Sequence, residues 1–150
     1  MRLSTKGDYG VRALIELALH AGEGPVQRAD IARRQRIPDS YLDHLLAQLR
    51  RNGFIRSTRG PGGGHQLTGP ASEMCLLHVI ESLEGSIAPL ACLAEDGGGD
   101  GDPGGTECGQ QWVWRDIYDY TRRKLASVSI AELADRERER QRAGAITYSI

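Results

Sequence analysis

The chain has 150 residues and a formal net charge of −1, with 39% hydrophobic and 26% charged residues, enough for one modest core or one core with an extension. No run of about eighteen apolar residues occurs, which excludes a membrane-spanning helix, and three cysteines, Cys75, Cys92 and Cys108, are too few and odd in number for a disulfide framework. The near-neutral total hides a division: residues 1–68 carry eleven Lys/Arg against six Asp/Glu, whereas residues 69–150 carry eight against fourteen. A basic first half suits a polyanionic partner, and the acidic second half excludes a chain that coats nucleic acid along its whole length.

Ser4 is placed to cap a first helix running to about His20, with Val11, Leu14, Ile15, Ala18 and Leu19 as its buried stripe and Gly22-Glu23-Gly24-Pro25 as its end. Asp8, Arg12 and Glu16 recur every turn, so no uninterrupted apolar leader forms and the expected compartment is the reducing cytoplasm. Ile31-Ala32 lies in a short helix that Arg36-Ile37-Pro38 interrupts. A second helix is predicted from about Ser40 to Asn52, because Leu42, Leu45, Leu46 and Leu49 recur at i, i+3, i+4 and i+7. Its opposite face carries Ser40, His44, Gln48 and Arg51, all able to donate or accept hydrogen bonds, and Gly53 is placed to end it. Residues 54–58 then read as a strand and residues 65–68 as its return, joined by Arg59-Gly60-Pro61-Gly62-Gly63-Gly64. Helix, turn, helix and basic hairpin make a winged helix-turn-helix: mainly α with a small β-hairpin wing, one helix offered to a major groove and an arginine-tipped wing to the backbone or minor groove.

Further on, Ser72 is a candidate cap for a helix with the stripe Leu76, Val79, Ile80 and Leu83, ended by Gly85; Cys75 at its edge reads as a small core hydrophobe. Between Ala88 and Gly109 the periodicity vanishes, and residues 97–105 are too glycine-rich to pack a core. Cys92 and Cys108 stand near the ends of this loop, with fifteen residues between them. A long helix resumes from Gln110 to about Ala126, with Trp114, Ile117, Tyr118, Thr121 and Leu125 on a shared face and Trp112 and Val113 beside it. Two tryptophans in an aromatic-poor chain point to a large buried contact, for which a second subunit is a natural cover. Ser129-Ile130-Ala131-Glu132 fits a capping box opening a short last helix, and residues 136–140, alternating in charge, read as a solvated helix end or tail.

Residues 1–9, the Ser40-Tyr41-Leu42 helix start, residues 59–64 and Trp114-Arg115-Asp116 together resemble the winged helix-turn-helix transcription regulators of the IscR, NsrR and CymR type, over Met1 to about Ala134. The resemblance implies a homodimer, crossed through the long helix after Cys108, that binds a roughly palindromic double-stranded DNA operator. It places Ser40, Tyr41 and His44 on the DNA, the last at a position where the family often has glutamine. It sends Arg59 into the minor groove, brings the backbone of Gly60, Pro61, Gly62 and Gly63 near phosphates, and makes Arg2, Lys6 and Arg51 phosphate contacts, which set affinity without reading sequence. It assigns Trp112, Trp114, Ile117, Tyr118, Thr121 and Leu125 to dimerisation. The implied organisation is a DNA-binding domain with a supporting helix over 1–85, a Gly-rich sensor loop over 86–109, a dimerisation helix and short terminal helix over 110–135, and a charged tail over 136–150.

Many relatives of this type hold an iron–sulfur cluster on three loop cysteines, since thiolates are soft, charged donors for iron. This chain keeps the outer two, Cys92 and Cys108, and has Gln111 where an IscR-type histidine stands. Asp8 matches an acidic ligand that NsrR-like members supply across the dimer, whereas Arg12, one turn on, cannot ligate. The resemblance thus implies a [2Fe–2S] cluster on Cys92, Cys108 and Asp8, with Glu107, His20 or an exogenous water open as the fourth ligand. A thiol switch of Cys92 with Cys108 and a loop without a sensor are the alternatives; zinc fits less well, because no Cys-x-x-Cys spacing occurs. A winged helix can also serve protein–protein contact without DNA. An enzyme is disfavoured: the glycine run precedes no Gly-Lys-Ser/Thr helix start, and His20, His44, His65 and His78 lack partners at diagnostic spacing.

Overall fold

The computed structural model describes residues 3–90, 93 and 109–147, with side chains to residue 145. Six helices and one hairpin follow in the order α1 (Thr5–Leu19), α2 (Arg28–Gln35), α3 (Asp39–Arg51), β1 (Ile55–Thr58), β2 (Gly64–Leu67), α4 (Leu76–Glu84), α5 (Gln111–Ala126) and α6 (Ile130–Thr147). The mainly helical class with a two-stranded antiparallel wing is as predicted.

Helix α1 is the hub, packing against α2, α3, α4, α6 and β2. Ser4 caps it, its Oγ accepting from the amides of Lys6 (3.1 Å) and Gly7 (3.4 Å). A second cap comes from far along the chain: Glu84, at the end of α4, accepts at Oε1 from Ser4 Oγ (2.5 Å), Ser4 N (3.2 Å) and Gly7 N (2.9 Å). A carboxylate thus sits on the positive end of the α1 dipole. A Cβ at Gly7 would lie 2.3 Å from that oxygen, and one at Gly10 2.3 Å from Leu83 Cδ1. The absence of side chains there lets α4 lie close. The buried face of α1 accordingly differs from the predicted stripe. Ala13, Leu14, Leu17 and Ala18 are buried, while Val11, Ile15 and Leu19 are only half-buried, because neighbours on several sides favour small residues over one apolar stripe.

Helices α2 and α3 meet at a tight turn in which Arg36 takes a left-handed conformation (φ 53°) and Ile37 is buried. Leu42, Leu45, Leu46 and Leu49 are all buried, as their spacing predicts. At the end of α3 the Phe54 amide donates to Leu49 O (3.0 Å) and the Gly53 amide to Arg50 O (3.1 Å), with Gly53 at φ 80°; this paired closure satisfies the last carbonyls. In the wing, Ile55 pairs with Leu67, Arg56 with Gln66, Ser57 with His65 and Thr58 with Gly64. Val26 adds an isolated bridge on the other edge of β2, exchanging bonds of 2.9 and 2.8 Å with the backbone of His65.

Ser72 does not cap α4. It lies in a short 3-10 turn, and the chain is extended at Met74 and Cys75 before α4 starts. The reason is tertiary: Leu76 N donates to Val128 O and Ile130 N to Met74 O, each at 2.9 Å, so this segment pairs with the start of α6. Cys75 is half-buried, with Sγ 3.6 Å from Ala126 O. Ser129 Oγ accepts from Glu132 N (3.2 Å), the first half of the capping box. Helix α6 is not short, and residues 136–147 continue it rather than form a tail. Ile130 and Ala134 are buried in the common core, and the alternating charges pair within the helix as Glu132–Arg136, Asp135–Arg138 and Glu137–Arg140.

Candidate nucleic-acid interface

The helix-turn-helix is fixed from beneath by Glu16, a carboxylate 2% exposed. It accepts from Arg34 (3.0 Å) and Gln35 Nε2 (2.7 Å), joining α2 to α1. Burial of an ionised group is tolerated because its oxygens are met by donors; Glu16 in turn holds the Arg34 guanidinium above its usual range.

Above this base, α3 presents Ser40, His44 and Arg51 as exposed side chains. Tyr41 is half-buried, its ring edge-on to Tyr9 at 5.6 Å, so it holds α3 against α1 as well as edging the exposed face. Lys6 is half-buried at the start of α1, and Arg2 lies outside the described residues. Asp39 and Asp43, which hydrophobic spacing does not single out, are also exposed on α3; Arg28 of α2 binds both, at 2.7 and 3.3 Å. Only the fold brings Arg28 to them. At the wing tip Arg59 is exposed. Gly63 N donates to Gly60 O (2.9 Å), closing a turn around Pro61 and Gly62. A Cβ at Gly63 would meet Thr58 O at 2.2 Å, which explains that glycine internally, whereas Gly62 has nothing within 4 Å and no unusual φ. Nothing among the described residues requires glycine at Gly62.

The predicted metal ligands fare unequally. Cys92, Cys108 and Glu107 lie outside the described residues. Asp8 is exposed and 3.3 Å from Arg12, whose guanidinium also bonds Gln35 O and lies 5.3 Å from the Tyr9 ring centroid. His20 is a poor fourth ligand: Nδ1 is 2.6 Å from Glu23, and Nε2 faces Glu16 (3.1 Å) and Arg34. Both ring nitrogens are committed. Among the described residues no three His, Cys, Asp or Glu side chains converge as a metal site.

The six residues assigned to dimerisation divide into two groups. Tyr118 is buried, and Trp114, Thr121 and Leu125 are half-buried along the same stripe. Thr121 and Leu125 border an apolar hollow of about 370 Å³ with Leu3, Ile80 and Ile87. Trp112 (67% exposed) and Ile117 (47%) instead point outward with Val113, joined by Tyr120 (65%), which the sequence reading missed. At 100° per residue, 113, 117 and 120 form a stripe separate from 114, 118, 121 and 125.

No helix among the described residues is long and apolar enough to cross a membrane. Residues 3–136 match the family model described as Rrf2, iron-dependent transcriptional regulator. The chain is 42% identical over 137 residues to the HTH-type transcriptional regulator IscR of Photorhabdus laumondii, covering 91% of this chain and 81% of the relative. Among solved structures it is similar to CymR (YrzC), the global cysteine regulator of B. subtilis, with 31% identity, a TM-score of 0.77, and coverage of 90% of this chain and 97% of that one. It is also similar to T. potens IscR, with 33% identity, a TM-score of 0.75, and coverage of 94% and 91%. Staphylococcus aureus CymR in an oxidised form matches at 33% identity and a TM-score of 0.71, covering 89% and 96%.

Proposed function

The chain belongs to the Rrf2 family of transcriptional regulators, and on that premise we propose that it works in the cytoplasm as a homodimer on a double-stranded DNA operator, switched through the 86–109 loop. It is a transcription regulator and not an enzyme, as its named relatives are. The observation that carries the DNA reading is the juxtaposition of Ser40, His44 and Arg51 on α3 with Arg59 on the adjoining wing. Helix α3 enters a major groove, Arg59 the flanking minor groove, and the wing backbone at Gly62 approaches the phosphates. The outward stripe of α5 (Val113, Ile117 and Tyr120), with the exposed Trp112 beside it, faces the second copy, which sets the separation of the two α3 helices.

Cys92, Cys108 and Asp8 are the residues for an iron–sulfur cluster, probed best as [2Fe–2S]. The donor set fits, since two thiolates and a carboxylate suit iron. Among the described residues the exposed Asp8 side chain is engaged by Arg12 alone, and Arg12 has Gln35 O and the Tyr9 ring as further partners once Asp8 is withdrawn. A bound cluster supplies a reversible change of charge and redox state at the loop. The protein's part is to hand that change on: Glu84 couples the helix entering the loop to the start of α1, and α5 leaves the loop carrying the dimer face.

Two measurements test this. Anaerobically purified protein is expected to show visible absorption with near-stoichiometric iron and sulfide, lost in Cys92→Ala and Cys108→Ala without unfolding; a protein colourless even after reconstitution refutes the cluster. Duplex affinity is expected to fall steeply with salt and to weaken in Arg59→Ala; affinity indifferent to both supports a protein–protein module instead. The thiol alternative draws on the oxidised form of the similar S. aureus CymR, and predicts a Cys92–Cys108 bond by mass spectrometry in a metal-free protein.

A further inference from the structure

Between α3 and the wing lies a cleft of about 130 Å³ that Asp43, Leu46, Ala47, Arg50, Ser57 and His65 line. It is too small for an effector molecule, whose pockets start near 300 Å³. Strand pairing sets Ser57 directly opposite His65, and Ser57 Oγ lies 2.9 Å from His65 Nδ1. The root of the imidazole is fixed, because His65 N and O both bond Val26. His65 Nε2 has no hydrogen-bond partner, and Arg50 no ion pair, among the described residues. The carboxylate in the cleft, Asp43, is already met by Arg28 from α2.

We propose that this cleft is a seat for one DNA phosphodiester, held by Arg50, Ser57 and His65, and that His65 takes up a proton from solvent as the phosphate arrives. The proposal rests on the DNA reading above. With α3 in a major groove and Arg59 in the next minor groove, the strand that divides the grooves passes between helix and wing, over this cleft. Without DNA, Ser57 donates its hydroxyl proton to the lone pair on His65 Nδ1. Protonation of Nδ1 reverses that bond: the imidazolium donates to Ser57 Oγ, and the hydroxyl proton is released to point at the phosphate. Arg50 and Nε2–H complete the set of donors. The charged groups facing His65 are Arg50 and Asp43 of α3 and Arg28 of α2. Burial first and Arg50 second hold the imidazole below its ordinary range, against a smaller opposing effect of Asp43. A free protein near neutral pH therefore carries it uncharged. An arriving phosphate reverses the field and favours the charged form.

The test is fluorescence anisotropy with a short mixed-sequence duplex at low salt, from about pH 5.5 to 8, with calorimetry in buffers of different ionisation enthalpy to count protons. Wild-type protein is expected to bind more tightly as pH falls and to take up protons on binding. His65→Gln is expected to reduce that uptake by up to about one proton, while His44→Gln, changed at the other histidine on the DNA face, leaves the His65 component in place. Arg50→Ala, on the exposed surface, lowers the slope of log affinity against log salt by about 0.9. Unchanged proton uptake in folded His65→Gln, or an unchanged salt slope in Arg50→Ala, overturns the seat even where wild-type protein binds DNA. No salt-dependent binding by wild-type protein overturns the DNA reading itself.

Discussion

A methyl group added at Gly7 is expected to change sign in its effect according to what stands at position 84. The new Cβ would lie 2.3 Å from Glu84 Oε1 and 2.6 Å from Leu3 Cδ1. Leu3 is 46% exposed and can swing away. The carboxylate can move only by giving up the bonds from Ser4 Oγ, Ser4 N and Gly7 N. Those three share one oxygen of a half-buried group, so their joint contribution is about 2 kcal/mol rather than the sum of three charged bonds. Against this, alanine in a helix is favoured over glycine by up to about 1 kcal/mol, less in the first turn. Gly7→Ala in the natural background should therefore destabilise by about 1–1.5 kcal/mol, and Glu84→Ala by about 2 kcal/mol. In the Glu84→Ala background the same Gly7→Ala change should stabilise by about 0.5 kcal/mol, giving a coupling near 2 kcal/mol. Urea unfolding followed by circular dichroism, at one fixed protein concentration so that the proposed dimerisation contributes equally throughout, measures all four corners. Equal costs of Gly7→Ala in the two backgrounds would show that Glu84 is not what excludes a side chain.

Ile117→Glu, on the outward stripe of α5, is expected to convert dimer to monomer in sedimentation; Tyr118→Ala, one residue on but buried, should instead cost about 3 kcal/mol of fold stability. Glu16→Ala should lower stability by about 2–3 kcal/mol in urea, by leaving Arg34 and Gln35 without their shared acceptor, and a cost near zero would remove Glu16 as the tie between α1 and α2. Stability should fall as pH drops below about 6.5. The pKa of His65 is lower in the fold than in the unfolded chain, so the unfolded state binds more protons there and gains on acidification. Thermal melts of His65→Gln are expected to lose that part of the pH dependence.

Helix α3 and the wing were legible in the sequence because their determinants are local. Four leucines at helical spacing, a glycine one residue beyond the helix cap and a glycine hairpin between two short runs need no distant partner. The buried face of α1 departs from its predicted stripe because a hub helix is covered on several sides. Its small residues, Gly7, Gly10 and Ala13, are what the neighbours demand, and hydrophobic periodicity gives them little weight. Ser72 had cap chemistry in the right composition, but backbone pairing with residues 128–130, more than fifty positions away, determines where α4 begins. On the candidate interface, Ser40, His44, Arg51 and Arg59 could be picked out by type and position. Arg28 bridging Asp39 and Asp43, Tyr9 against Tyr41, and the Ser57–His65 cleft depend on strand register and helix packing. The i, i+4, i+7 recurrence of Val113, Ile117 and Tyr120 is the sequence signal for the outward face of α5, beside the separate stripe that Trp114 opens.

The backbone pairing of residues 74–76 with 128–130 has a mechanical consequence. It anchors the chain just after the C-terminal end of α5 to the start of α4, whereas the N-terminal end of α5 emerges from the loop. Helix α5 is then a lever with its fulcrum beside Ser129. Sixteen residues make an arm of about 24 Å, so a tilt of about 5° at the fulcrum carries Trp112 through about 2 Å at the far end. In the dimer proposed above, a displacement at the loop end of α5 would become a sideways sweep of an aromatic side chain across the partner's surface, which two operator half-sites would register as a change of spacing.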